Sequence, residues 1–209
     1  MKKLIVLVSL ILLTACVALE RETKRDFMDH TFYASNPNMA VKIANNFQPV
    51  DQNKDNGFAM YSNSMSGSNI ETERFRFSDN TKKTAFVILI SKAREGFWQS
   101  NLNEGFRNHL EAGKIEEGGR QYYYAIFADK GHDNKYYLVK RYARRSGATS
   151  QTLLQYYYVR AIDAKLDDFS RWRDPNRLRQ DQRDVLTQFK KDSERDIQFI
   201  EYKTPEKKS

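Results

Sequence analysis

Several chemistries lack the residues they need in this chain of 209 amino acids. Cys16 is its one cysteine, so no intrachain disulfide can form. His30, His109 and His132 are its three histidines, and no two stand at the spacing of a histidine metal motif. A zinc site would have to gather carboxylates from distant segments, so no metal and no cofactor are expected. Gly-x-Ser-x-Gly, the phosphate-binding loop, the dinucleotide glycine fingerprint and His-Glu-x-x-His are all missing. That argues against the commonest hydrolases and nucleotide enzymes. Glycine and proline are sparse, and no Gly/Ser-rich or Pro-rich linker divides the chain. No apolar run reaches the roughly 20 residues that a membrane-spanning helix needs.

The chain does have an address. Met1-Lys2-Lys3 is a cationic start, and Leu4 to Leu13 is apolar apart from Ser9. Leu13-Thr14-Ala15-Cys16 follows, which completes the three parts of a secretory signal. This tetrapeptide resembles the lipobox of bacterial lipoprotein signal peptides. The resemblance implies removal of residues 1–15, a diacylglyceryl thioether on the Cys16 sulfur, and a fatty-acyl chain such as palmitate on the new amino group. Several acyl chains anchor durably where one holds only marginally, because each buried methylene contributes about 0.8 kcal/mol. Val17 is not the aspartate associated with inner-membrane retention, so the resemblance favours the outer membrane in a two-membrane cell.

The mature part is long enough for one domain with its own core. Residues 16–25 read as a lipidated tether, 26–203 as a single domain and 204–209 as a polar tail. The formal charge of +8 falls to about +6 without Lys2 and Lys3. Lys and Arg are interleaved with Asp and Glu, as in Arg171-Trp-Arg-Asp-Pro175, which describes a solvated mixed surface rather than a groove-tracking stripe. Export also removes nucleic acid as an expected partner. The membrane, through the lipid on Cys16, and an envelope protein or cell-wall polymer remain.

Patterning predicts the elements. Ala40 to Phe47 reads as a strand or short helix, and Gly57 to Ser68 as a weak strand leading into a loop. Ile70 to Phe77 and Ala85 to Ile90 read as a hairpin around Ser78-Asp-Asn-Thr81, with the second strand central in a sheet. Leu102, Phe106 and Leu110 at helical spacing predict a helix over 101–112. Three Tyr-rich runs, 120–128, 135–144 and 152–162, predict an antiparallel meander. Asp174-Pro175 predicts the start of a long C-terminal helix carrying Leu178, Val185, Leu186 and Phe189, with a final strand over 197–202. The expected fold class is therefore α+β: an antiparallel sheet of about five to seven strands with that helix packed on it. Met39-Ala-Val-Lys-Ile-Ala-Asn-Asn-Phe47 resembles the opening of Mog1/PsbP-like domains, which implies a layered α/β sheet. The layout from the lipobox to Trp172-Arg-Asp-Pro175 resembles uncharacterised lipoproteins of sulfate-reducing bacteria, which implies no particular activity.

Carboxylate pairs occur at Glu116-Glu117, Asp167-Asp168 and Glu71/Glu73, and each reads as solvated surface charge rather than an acid–base pair. The tyrosine runs would lay an aromatic ladder on one sheet face, which suits either packing or sugar stacking. The expectation is an anchored envelope lipoprotein with a non-catalytic binding or assembly-support domain. The alternatives are a glycan hydrolase of unfamiliar type and a carbohydrate-binding module using the tyrosine-rich face. The one site residue expected is Cys16. Mass spectrometry of the mature N-terminal peptide is expected to show a lipid-modified Cys16 in the membrane fraction, lost in Cys16→Ala. An unmodified, soluble product would overturn the anchoring reading.

Overall fold

The computed structural model describes residues 24–60, 67–94, 102, 108–146, 151–163 and 169–202. Among them run β1 (Arg25–Met28), β2 (Thr31–Ala34), β3 (Met39–Ile43), β4 (Gln48–Met60), β5 (Gly67–Asp79) and β6 (Thr84–Ala93). Then come β7 (His109–Glu117), β8 (Arg120–Lys130), β9 (Tyr136–Ser146), β10 (Thr152–Ile162), helix α1 (Gln180–Asp196) and β11 (Ile197–Ile200). They form a four-stranded sheet, β1-β2-β3-β11, and a seven-stranded sheet, β4-β5-β6-β10-β9-β8-β7.

Turn chemistry explains the hairpins. Asp29 and His30, both at positive φ, turn β1 into β2, and Gly118 and Gly119, also at positive φ, turn β7 into β8. Two successive left-handed residues give the turn whose twist matches that of the flanking strands. Gly118 is doubly constrained, because a Cβ there would lie 2.9 Å from the Ile200 backbone. Between β5 and β6 the buried Asp79 carboxylate accepts from Thr81 N at 2.9 Å and Thr81 Oγ1 at 2.6 Å. Asn46 Nδ2 donates to its second oxygen at 2.6 Å, which ties that turn to the chain between β3 and β4.

The small sheet and α1 cover the inner face of the large one. Period two sends Phe75, Phe77, Phe86, Ile88, Tyr122, Tyr142, Tyr156 and Tyr158 inward, and all are buried. Phe32 packs on Phe75 at 4.6 Å between ring centroids. Phe199 packs on Tyr122 at 4.3 Å, Tyr156 at 4.8 Å and Tyr142 at 5.1 Å. Arg25 Nε reaches Glu73 Oε2 at 2.6 Å across the two sheets.

The α+β expectation is corrected here: among the described residues the fold is mostly β, two packed sheets with α1 set against the larger, not a single helix-covered sheet. The second sheet arises because residues 25–43 form three antiparallel strands, the last of which, β3, pairs with the chain's far end in the register Ile197↔Ile43 to Ile200↔Ala40. The layered α/β arrangement implied by the Mog1/PsbP-like resemblance gives way for the same reason. The helix expected over 101–112 is also corrected where it is described. Leu110 and Ala112 lie in β7, where a bulge between His109 and Glu111 shifts the register. From there Glu111, Gly113, Ile115 and Glu117 share the more buried face, a period of two hidden by how few of them are apolar. Gly57 to Ser68 holds the end of β4 and the start of β5, with 61–66 outside the described residues. Asp174-Pro175 opens a 3-10 turn, with Asn176 N donating to Asp174 Oδ1 at 2.9 Å, and α1 begins only at Gln180. Val185, expected on the apolar stripe, is exposed.

Phe199→Ala is expected to destabilise the fold by about 3–5 kcal/mol, the range for deleting a buried aromatic ring. Urea unfolding would measure it, and a loss below about 1 kcal/mol would show that β11 does not seal the core.

Candidate functional site

Two clusters of ionisable side chains lie where α1 meets the large sheet. In the first, Arg160 Nη2 donates to Asp192 Oδ2 at 2.8 Å, and Tyr158 Oη donates to Asp196 Oδ2, also at 2.8 Å. Arg195 Nη2 holds both aspartates at 2.8 Å. Burial pushes the Asp192 carboxyl up, but the bonds and charges of Arg160, Gln188 and Arg195 outweigh it and hold it below the usual range. Burial, then the bond to Asp196, raise the Tyr158 phenol.

In the second, buried Lys140 donates to Ser193 Oγ at 3.2 Å and to Glu194 Oε1 at 3.1 Å. A lysine beside a serine is a nucleophile arrangement on some enzymes. Here Ser193 is 0% exposed and its hydroxyl donates to Lys190 O at 2.7 Å. The oxygen is thus committed to two partners and closed to a substrate. Nearby, Glu111 accepts from Lys190 at 2.6 Å and Tyr124 at 2.9 Å. Both clusters fasten the helix to the sheet.

The opposite, outer face carries the largest cleft among those described, a groove of about 800 Å³. That falls within the range of small-ligand sites. Outward-pointing Ala85, Val159 and Ala161 make its floor, and their small side chains leave a trough over β6 and β10. Arg76 on β5 stands on one side and Tyr137 on β9 on the other. Three interstrand spacings separate those strands, about 14 Å. The β5–β6 turn supplies Asn80 and Lys83 at its end, and the β8–β9 turn supplies Asn134 and Lys135.

Tyr137 is held in place from two sides. Its hydroxyl donates to Asp133 Oδ2 at 2.7 Å, and its ring lies against Gly131, where a Cβ would come within 2.7 Å of Cε2. The bond to Asp133 raises the Tyr137 phenol and lowers the Asp133 carboxyl, with burial a lesser influence on each. Of the groove's carboxylates, Asp79 is spent on its own turn: burial pushes it up, and the bonds from Thr81, Asn46 and Lys82 hold it down. Asp163 is exposed. Arg76 faces Asp51 at 3.7 Å, and among the described residues Lys83 has no carboxylate at ion-pair distance.

Sequence reasoning singled out the tyrosines without their faces. Tyr122, Tyr142, Tyr156 and Tyr158 are buried beneath β11 and α1, so that ladder is core and offers nothing to a sugar. Tyr123, Tyr137 and Tyr157 point outward and are half-buried. Glu71 pairs with Lys54 at 2.8 Å, and Glu73 with Arg25. Burial raises the Glu117 carboxyl beside the Gly-Gly turn. Asp167-Asp168 and Cys16 lie outside the described residues. Each histidine sits apart from the others, and no group of three or more metal-ligating side chains converges among the described residues. The groove itself was missed. Its signal was the alternation of small residues, Val159 and Ala161 on β10 beside Ala85, with Tyr137 on the neighbouring β9. Comparison with known protein families, curated proteins and solved structures finds no match to this chain.

The Tyr137 phenol is expected to titrate above the ordinary value, and Asp133→Ala to bring it down. An ultraviolet absorbance titration with Tyr137→Phe as the blank would isolate it from the other eleven tyrosines. The Asp133 carboxyl is depressed, so the hold on Tyr137 is present above the ordinary aspartate range and lost as pH falls through the folded value. Identical curves for wild type and Asp133→Ala would show that the bond is not formed in solution.

Proposed function

We propose that this chain is an envelope lipoprotein, anchored through acyl chains on Cys16, whose β-sandwich domain binds a cell-wall polymer or envelope partner in the outer-face groove. What carries the anchoring is Leu13-Thr14-Ala15-Cys16 placed behind a cationic start and a short apolar run. What carries the binding role is a preorganised aromatic wall, Tyr137, over a floor of small residues. Anchoring at Cys16 would keep β1 within about 30 Å of the lipid headgroups, the reach of nine extended residues. In a two-membrane cell the outer membrane is favoured.

The reading is of a binding domain rather than a hydrolase. Glycoside cleavage needs two carboxyl groups flanking one bond. In the groove Asp163 is open, while Asp79 is saturated by hydrogen bonds.

Detergent-solubilised full-length protein is expected to co-sediment with insoluble cell wall and to release no reducing sugar from it. Tyr137→Ala should weaken that co-sedimentation several-fold, in line with truncating an aromatic anchor. Retention equal to wild type would remove the groove from the reading, and reducing ends appearing with time would turn it into an enzyme's.

A further inference from the structure

We infer that the groove takes a carboxylate-bearing saccharide, with one sugar ring over the Ala85–Val159–Ala161 floor against Tyr137 and its acid group toward Arg76 and Lys83. This rests on the groove reading above and names the ligand class for it. A sugar ring has apolar C–H faces and a polar rim. The groove matches that division, with small aliphatic side chains below, one aromatic ring at the side, and Ser78, Asn80 and Asn134 around the edge.

Preorganisation favours a ring over a flexible chain. Tyr137 is pinned by Asp133 and by Gly131, so its face is presented without losing side-chain freedom on binding. The charge argues for an acid group. Arg76, Lys83 and Lys135 line the groove against exposed Asp163, because Asp79 is answered by its own turn. Among the described residues Lys83 has no carboxylate partner, and half of the Arg76 side chain is exposed, with Asp51 standing 3.7 Å away. Lys135 is engaged by Asp133 at 3.3 Å and Arg76 more loosely by Asp51 at 3.7 Å, so Lys83 and the half-exposed Arg76 are the groove cations best placed to meet a ligand anion. Guanidinium is the better of the two for a carboxylate, since its planar fork matches both oxygens.

The test is calorimetric titration of full-length protein in detergent with three probes: a galacturonic-acid oligosaccharide, a neutral glucose oligosaccharide of the same length, and inorganic polyphosphate. Saturable binding of the acidic sugar is expected. It should be about tenfold or more weaker in Tyr137→Ala, as for loss of an aromatic anchor, and weakened also in Arg76→Gln and Lys83→Gln. Gly131→Ala, which crowds the ring without removing it, should weaken it as well. The neutral sugar should bind more weakly and be indifferent to Lys83→Gln. Polyphosphate binding as tight as the acidic sugar's and unchanged in Tyr137→Ala would overturn the inference in favour of bare charge attraction. Failure of the acidic sugar to bind would also overturn it. The groove reading would still stand if cell-wall co-sedimentation continued to depend on Tyr137, and both would fall if it did not.

Discussion

The backbone pairing of β11 with β3 is the constraint on which the remaining structure depends. It brings residues 197–200 beside residues 40–43, closing the four-stranded sheet with the chain's far end. Only from that position does Phe199 reach Tyr122, Tyr142 and Tyr156 together. Those tyrosines belong to three adjacent strands of the large sheet, so one ring from the small sheet sets the spacing of both layers. Gly118 records how close the approach is, since no side chain fits between the β7–β8 turn and Ile200.

Helix α1 hands the chain directly into β11, and its buried polar side chains fix that hand-over. A buried ion pair adds little net stability when its desolvation is counted, but losing one partner leaves an uncompensated charge. The Arg160–Asp192 and Tyr158–Asp196 bonds therefore act chiefly on register, choosing one placement of the helix on β10. Asp196 also links to the small sheet through its carbonyl, which accepts from Ala44 N at 2.8 Å. The inner layer is consequently a closed system of aromatic rings and paired charges. It holds the large sheet steady and leaves its outer face for solvent or a ligand.

That division of labour suits the proposed binding role. One face is consumed in making a rigid body, and the other carries a trough whose walls are strand-borne rather than loop-borne. A binding surface on rigid elements loses less entropy when occupied than one on loops. The turns at the trough's end, each with a lysine and an asparagine, supply polar contacts around it.

The sequence by itself determined the local pieces. Period-two apolar runs specified the β5–β6 hairpin and the Tyr-rich meander, because alternation and turn residues are short-range signals. The proposed address rests on the sequence as well, since Leu13-Thr14-Ala15-Cys16 is read as a linear motif. The tertiary structure decided what depends on distant partners. The small sheet gains its fourth strand only because Ile197 to Ile200 pair with residues 40–43, a contact across more than 150 positions. Polar β4 and β7 are strands because each has a neighbour to complete its hydrogen bonds, although few of their side chains are apolar. Which tyrosines are core and which face outward follows from the layer that covers one side. The groove exists only where Ala85, Val159 and Ala161, on two neighbouring strands, line up between Arg76 and Tyr137, and that alignment is a matter of interstrand register, which no local pattern encodes.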